Sequence, residues 1–136
     1  MSSRAYEGVI ARDRVIAIIT QDEPKMLVEE AEAAGEMLAG NKLTKSQIRN
    51  LFGTVRQIQM NWPPSLSPEE EKSRVRELLL LKPKMAYQAT RQKPVKPLAD
   101  VLDLAIDQVD GKRERFQRLV ELFEAILAYH TKYGGK

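Results

Sequence analysis

Lysine and arginine recur with helical spacing in the segment from Gly40 to Trp62 and could bind the phosphates of a nucleic acid. At about 100° per residue, Lys45, Arg49 and Arg56 project within about 40° of one another. No Asp or Glu lies between Asn41 and Leu66, whereas a solvated helix face usually mixes charges of both signs. This acid-free row is therefore typical of a phosphate-binding edge. A basic face that meets only solvent explains the pattern equally well.

A second stretch, residues 82–97, is also basic and contains no acid. Its cations are Lys82, Lys84, Arg91, Lys93 and Lys96. Acidic segments, residues 23–40 and 98–110, lie on either side of the two basic stretches, so positive and negative segments alternate along the chain. Because the net charge is only +3, the distribution of charge is more informative than its total.

The sequence lacks the residue patterns that are typical of catalytic and metal-binding sites. The chain has no cysteine and a single histidine, His130, so it cannot build a common zinc site or a cysteine nucleophile. Neither a nucleophile elbow nor a glycine-rich phosphate loop occurs. Asp100, Asp103 and Asp107 could hold a divalent cation, but such a row more often faces water or a basic partner. The sequence therefore predicts no enzyme, no cofactor and no metal.

Length and composition are those of one globular domain. The 136 residues suffice for one hydrophobic core but not for two, and 43% apolar with 30% charged residues suits such a domain. No apolar run approaches the roughly 18 residues that span a bilayer, and charges interrupt the apolar residues at the start as they do not in a signal peptide. We therefore expect a single helical domain, residues 1–136, in the cytoplasm and not at a membrane.

The helix that carries the basic row has a well-marked start and end. Thr44 is a good N-cap, and Gln47 three residues later completes a capping box. The apolar stripe of this helix consists of Ile48, Leu51, Phe52, Val55 and Ile58. Pro63 and Pro64 stop the helix after Trp62. The stripe should anchor the helix in the core and leave the basic row on its flank.

The chain before the basic row is predicted to contain one clear helix. It runs from Asp22, its N-cap, through Pro24 in its first turn to Gly40, its C-cap. Residues 1–22 form a poorly defined N-terminal segment, whose β-branched residues suit a short strand or a short helix. The lack of a partner strand elsewhere favours the helix.

Three further helices are expected after the basic row. Ser67 opens the first in a capping box with Glu70, and Pro83 either kinks that helix or begins a new one. Pro97 opens another, a last helix covers residues 112–130, and the tail KYGGK should be loose. The expected fold class is all-α, a compact bundle of five to six helices.

Two side chains have both a structural and a functional interpretation. His130 falls on the apolar side of the last helix, which favours a buried histidine with a hydrogen-bond partner. Trp62 could stack on a base, but its place at a helix end before two prolines favours a core position. The low aromatic content of 6% argues against sequence-specific reading of splayed bases.

Three stretches of the chain resemble a known family. They are KLTKSQIRNLF (42–52), LKPKMAYQATRQKPVKPLADVLDLAID (81–107) and FQRLVELFEAILAYHTKYGGK (116–136). Together they span roughly residues 40–136 in order, and they resemble the small helical subunit of the type III-A CRISPR effector, the Csm complex. The N-terminal 20 residues match poorly.

The resemblance implies a small α-helical protein without catalytic activity that stacks in several copies and serves antiviral defence. Its partners would be the guide RNA and the target RNA, contacted through the backbone, and the other subunits of the complex. Among these, the large polymerase-like subunit and the backbone nuclease subunit would be the enzymes. By position, the residues implied to contact RNA are Lys45 and Arg49 first, and then Arg56, Lys84, Arg91, Lys93 and Lys96.

Head-to-tail stacking of identical subunits needs two different, complementary surfaces on each copy. The acidic segments 23–40 and 98–110 could meet the basic segments of a neighbouring copy, and some cations would then bind protein rather than RNA. The alternative function is therefore a helical protein-interaction scaffold without direct RNA contact.

Overall fold

Six α-helices make up most of the chain between Val9 and Lys136, which is the part that the computed structural model describes. They are α1 (Arg12–Thr20), α2 (Pro24–Gly40), α3 (Lys45–Met60), α4 (Pro68–Arg91), α5 (Lys96–Val109) and α6 (Arg113–Lys132), and a 3-10 turn (Lys93–Val95) precedes α5. Residues 9–136 contain no β-strand. The predicted all-α bundle is thus confirmed.

Helix α6 lies at the centre of the bundle, where it packs against α1, α2, α3 and α5. Its buried side chains are Phe116, Leu119, Val120, Leu122, Phe123, Ile126 and His130. Each large apolar side chain of this kind contributes about 1.5–3 kcal/mol through burial. The α6 stripe is therefore a common packing surface for α1, α2, α3 and α5.

Two capping boxes fix the starts of α3 and α4, as the sequence predicts. The Gln47 N–H donates to the Thr44 hydroxyl oxygen at 3.1 Å, and the Thr44 N–H donates to the Gln47 side-chain oxygen at 3.0 Å. The same exchange joins Ser67 and Glu70 at 3.2 and 3.1 Å. Each box satisfies two backbone N–H groups that would otherwise lack partners in the first helical turn.

The predicted caps of α2 are each wrong by one residue, since Glu23 and Asn41 are the caps rather than Asp22 and Gly40. Glu23, not Asp22, is the N-cap residue, and it makes no side-chain capping bond. Pro24 is the first residue of the helix, so the residue directly before it becomes the cap. At the other end Gly40 is still helical, and the chain reverses at Lys42, which has φ 70°.

At two places where the sequence allows an alternative, residues 12–20 and Pro83, the structure is helical. Residues 12–20 form α1, which confirms the predicted helix, while residues 1–8 of the same predicted segment lie outside the described residues. Helix α4 continues through Pro83 as a single helix, so no new helix begins there. Pro83 is exposed, and its ring therefore projects away from the packed side of α4.

Four arginines satisfy backbone carbonyls at helix C-termini, where the last carbonyls have no partner within the helix. The pairs are Arg74 with Asn61, Arg113 with Trp62, Arg115 with Gln108 and Arg118 with Ile19, at 3.2, 2.8, 3.1 and 3.1 Å. The first two close α3, and the others close α5 and α1. A guanidinium group offers five N–H donors and suits this task. These cations are thus committed to the fold.

Trp62 occupies the core, as its position in the sequence favours. Its side chain is 1% exposed and stacks on Phe116 with 5.1 Å between ring centroids. The indole is therefore closed to a nucleic-acid base, and it ties the end of α3 to α6.

The C-terminal tail is ordered, so the prediction of a loose tail is wrong. Tyr133 and Lys132 both donate to the Glu32 carboxylate of α2, at 2.5 and 3.2 Å. The Tyr133 hydrogen bond, followed by that of Lys132, lowers the pKa of Glu32 below its ordinary value. Gly135 is buried, and its N–H donates to the His130 carbonyl at 2.8 Å. The two glycines thus make a close turn rather than a free end.

Helices α2 and α6 approach each other closely at Gly35. A Cβ built on Gly35 would lie 2.6 Å from the Tyr129 Cβ and 2.7 Å from the His130 backbone nitrogen. Gly53 is also a helical glycine, but no atom lies within 4 Å of a Cβ built there. Gly35 and Gly53 thus share a helical backbone conformation, but only Gly35 has other atoms close to the position of a Cβ.

Replacing each of these glycines by alanine should have opposite effects on stability. Gly53→Ala should raise the free energy of unfolding by about 0.5–1 kcal/mol, because alanine is the better helix former. Gly35→Ala should lower it by about 1–3 kcal/mol, because the backbone of α6 obstructs the added methyl group. Urea denaturation of both variants measures the difference, and a Gly35→Ala protein as stable as Gly53→Ala would contradict the close helix contact.

Candidate nucleic-acid interface

Helix α3 is held firmly along the side next to its basic row. Phe52 packs edge-on against Phe123 of α6, with 5.0 Å between ring centroids and 68° between the planes. The buried side chains of α3 are Ile48, Leu51, Val55 and Ile58. The predicted stripe is therefore confirmed, with Phe52 half-buried at its border. A helix anchored in this way presents its remaining faces in a fixed orientation.

Lys45 and Arg49 are the free cations of this row. Arg49 is exposed and Lys45 half-buried. Within residues 9–136, neither side chain has an ion-pair or hydrogen-bond partner. Free cations on a fixed helix are available to an anionic ligand without first breaking an internal contact.

Arg56 belongs to the same face but has weak internal partners. Its guanidinium lies 3.7 Å from the Glu124 carboxylate of α6 and 5.9 Å from the centroid of the Phe52 ring. Both charged side chains of the pair are about half exposed, at 48% and 58%. An exposed pair of this kind contributes about 0–1 kcal/mol, so an incoming phosphate could displace Glu124.

Lys84, a residue of α4, lies next to the side of α3 that is opposite the basic row. It lines a hollow of about 420 Å³ between α3 and α4, together with Thr54 and Gln57. By helical projection Thr54 lies about 140–180° from Lys45, Arg49 and Arg56. The structure therefore does not bring Lys84 together with the row.

The remaining cations of residues 82–97 gather at the junction of α4 and α5. Arg91 folds over the Tyr87 ring and donates to its hydroxyl at 2.9 Å. Lys96 forms an ion pair with Asp100 at 2.8 Å, and Lys93 and Lys96 border a groove of about 600 Å³ between the two helices. Asp100 also lines this groove, so its rim carries both signs of charge. The two basic stretches thus form separate surfaces rather than one.

The aspartates of α5 meet a lysine of α4. Lys82 pairs with Asp107 and with Asp103, the second pair at 3.7 Å. The hydrogen bond to Asp107 raises the pKa of Lys82 above its ordinary value. No group of three or more potential metal ligands occurs in the described part of the chain. Asp103 and Asp107 thus connect α5 to α4 through Lys82.

One exposed feature was missed from the sequence, although a signal for it exists. Leu78 and Leu81 are buried in the core, whereas Leu79 and Leu80 are each 49% exposed. Four successive leucines span about 300° of a helix, so a single packed face cannot bury them all. Leu79 and Leu80 line a shallow hollow of about 600 Å³ with Val75. We call these two leucines the α4 ridge.

The fold and the family comparison agree on the identity of the chain. The fold places it among small all-α proteins, and the family model Csm2, type III-A, matches residues 21–136. The chain therefore belongs to this family and is a small subunit of the type III-A CRISPR complex, alongside other subunits. The resemblance over residues 40–136 is confirmed and extends to α2.

The other comparisons add no relative. Neither the curated proteins nor the solved structures include a significant match to the chain. Among the helices that the structure describes, none combines the length and the apolar character needed to cross a bilayer.

Replacing a cation that donates to a backbone carbonyl should lower the free energy of unfolding more than replacing a cation without an internal partner. Arg113→Met removes the donor to the half-buried Trp62 carbonyl and should lower the free energy of unfolding by about 1–2 kcal/mol. Arg49→Met removes the same charge from the free row and should change it by less than about 0.5 kcal/mol. Urea denaturation of the pair tests this, and an equal loss in both would show that Arg49 has a structural partner.

Proposed function

We propose that the chain is a non-catalytic small subunit that contacts the backbone of the guide–target RNA duplex through Lys45 and Arg49. The observation that supports this most is that both cations lack internal partners within residues 9–136 while α3 itself is firmly anchored. Arg56 would join them by exchanging Glu124 for a phosphate. The proposed site is thus the basic edge of α3.

The chemistry of such an edge is electrostatic. Lysine and arginine neutralise phosphates and release condensed counterions, so affinity falls steeply with salt. Backbone contacts position a protein on the duplex without carrying sequence information. In this proposal, pairing between guide and target reads the sequence, and the subunit binds any duplex of suitable shape.

The second basic stretch holds the further proposed contacts. These are Lys84, Arg91, Lys93 and Lys96. They lie on other surfaces than the α3 edge and would reach RNA only if the duplex, or a neighbouring copy, passes along α4. Lys96 would first have to leave Asp100, and Arg91 would have to leave the Tyr87 hydroxyl.

Stacking of copies is proposed to use the α4 ridge against the outer face of α2. On α4, the cations Lys72 and Arg76 line the hollow beside the ridge. On α2, Glu29 and Glu36 are exposed and lie about 20° apart in helical projection, whereas the exposed Val28 and Met37 lie on opposite flanks of this acidic face. Two different surfaces of opposite charge suit a head-to-tail arrangement.

The rest of the complex completes the proposed role. The large polymerase-like subunit and the backbone nuclease subunit supply the enzymatic activities, and the chain contributes none of its own. It acts in the cytoplasm, in antiviral defence, as a part of the ribonucleoprotein.

Removing both free cations should weaken RNA binding without unfolding the protein. For Lys45→Ala plus Arg49→Ala, the slope of log affinity against log salt should fall by up to about two, because two phosphate contacts are lost. Fluorescence anisotropy with a labelled RNA duplex over a salt series measures this slope. The matched control is Lys25→Ala plus Lys136→Ala, which removes the same charge from exposed positions elsewhere. Equal behaviour of the two double variants would reject the α3 edge as the binding site.

Removing the α4 ridge should prevent stacking. Leu79→Ser plus Leu80→Ser should leave the fold stable, because both side chains are already about half exposed, and should lower self-association in analytical ultracentrifugation. Tyr87→Ser, another exposed position on α4, serves as the control. Self-association that survives the double change would place the contact elsewhere.

The exposed α4 ridge also favours the second candidate function, a helical protein-interaction scaffold without direct RNA contact. In that case the α3 edge would bind an acidic neighbour. Ultraviolet crosslinking of the assembled complex to labelled RNA separates the two functions, because only the first predicts crosslinks within residues 45–56.

A further inference from the structure

His130 is the one polar side chain that is fully buried in the described chain. Buried polar groups are costly unless they are hydrogen-bonded. The position lies in the last turns of α6, where an apolar residue would fill the same space without this cost. Its contacts therefore indicate what the imidazole does there.

The imidazole contacts the residue that precedes the N-cap of α3. His130 Nε2 lies 2.6 Å from the carbonyl oxygen of Leu43. A carbonyl oxygen can only accept, so Nε2 is the donor. Leu43 directly precedes Thr44, the N-cap of α3, and Lys45 is the first residue of that helix. This single bond links α6 to the start of the basic row.

The loop held by this bond needs support. Lys42 has φ 70°, a backbone conformation that residues other than glycine rarely adopt unless the surroundings maintain it. The Leu43 side chain is 1% exposed, which fixes the loop from its apolar side. The hydrogen bond from His130 to the Leu43 carbonyl fixes the backbone of the same loop.

The C-terminal turn closes over the other side of the ring. A Cβ built on Gly135 would lie 2.0 Å from the Cε1 atom and 2.2 Å from the Nδ1 atom of His130. Gly134 has φ 83°, and the Gly135 N–H donates to the His130 carbonyl at 2.8 Å. Only a residue without a side chain leaves room for the imidazole at this point.

We infer that His130 is a positioning residue for the RNA-binding edge, which it sets by holding the Leu43 carbonyl while the Gly134–Gly135 turn holds the ring. The inference rests on the proposed function of Lys45 and Arg49. It assigns to the chain's C-terminus a role in RNA binding without any contact to RNA. The quantity to measure is therefore the coupling free energy for RNA binding between His130 and the pair Lys45 and Arg49.

A double-mutant cycle tests this coupling on the full-length chain with a labelled RNA duplex. His130→Met removes the donor, whereas His130→Gln keeps an N–H at similar reach. His130→Met should weaken binding by about fivefold, the scale of one hydrogen bond, and His130→Gln should recover most of this loss. In the Lys45→Ala plus Arg49→Ala background, His130→Met should cause no further loss of affinity, although it should still lower the melting temperature.

The outcomes separate the two proposals. Wild-type affinity in a folded His130→Met protein, an equal loss in both backgrounds, or no recovery with His130→Gln would overturn the positioning role. Wild-type affinity in the Lys45→Ala plus Arg49→Ala protein would instead reject the RNA site, and the positioning role would fall with it.

A glycine pair provides the same test if His130→Met does not fold. Gly135→Ala should displace the ring and weaken binding as His130→Met does. Gly40→Ala lies at the end of α2 with no atom within 4 Å of the added Cβ and should leave binding unchanged. Equal affinity of the two alanine variants would contradict the inference.

Discussion

The packing of α3 against α6 is the contact on which the proposed RNA edge depends. Phe52 against Phe123 holds the middle of α3, and Trp62 on Phe116 holds its end. The His130 bond to Leu43 holds its start. Because α6 is itself buried among four helices, the orientation of α3 is set by the core of the whole bundle. The basic face is thus displayed by a rigid element, as a binding edge requires.

The described cations fall into those with internal partners and those without. Arginines such as Arg113 and Arg118 close helix C-termini by donating to backbone carbonyls. Lys82 neutralises two aspartates between α4 and α5. These residues make the chain basic without offering charge to a ligand. Lys45 and Arg49 lie outside such internal contacts in the described part of the chain, and they also share one face of the anchored helix α3, which makes the α3 edge a candidate site.

Local signals predicted most of the fold. The capping boxes at Thr44 and Ser67 and the apolar stripe of α3 appear in the structure as expected, because each depends on residues only a few positions apart. The cap of α2 and the tail were predicted wrongly. The tail is expected to be loose because it is a chain terminus, but its order comes from Glu32, about a hundred residues away, and no local pattern reports such a partner.

The candidate site could be predicted only in part for the same reason. Helical spacing alone placed Lys45, Arg49 and Arg56 on one face, but it could not show that Arg56 meets Glu124 of α6. The Lys96–Asp100 pair, by contrast, spans one turn of α5, and its i,i+4 spacing is a local signal that the sequence contains. Pairing between helices is decided by packing, so sequence separates free cations from committed ones poorly.

The most direct measurement is a nuclear magnetic resonance titration of the ¹⁵N-labelled chain with an RNA duplex, following side-chain and backbone signals together. If the α3 edge binds RNA, the largest shifts occur at Lys45, Arg49 and the neighbouring backbone of α3, and added salt reverses them. Shifts centred on the groove between α4 and α5, with the α3 signals unchanged, would contradict it.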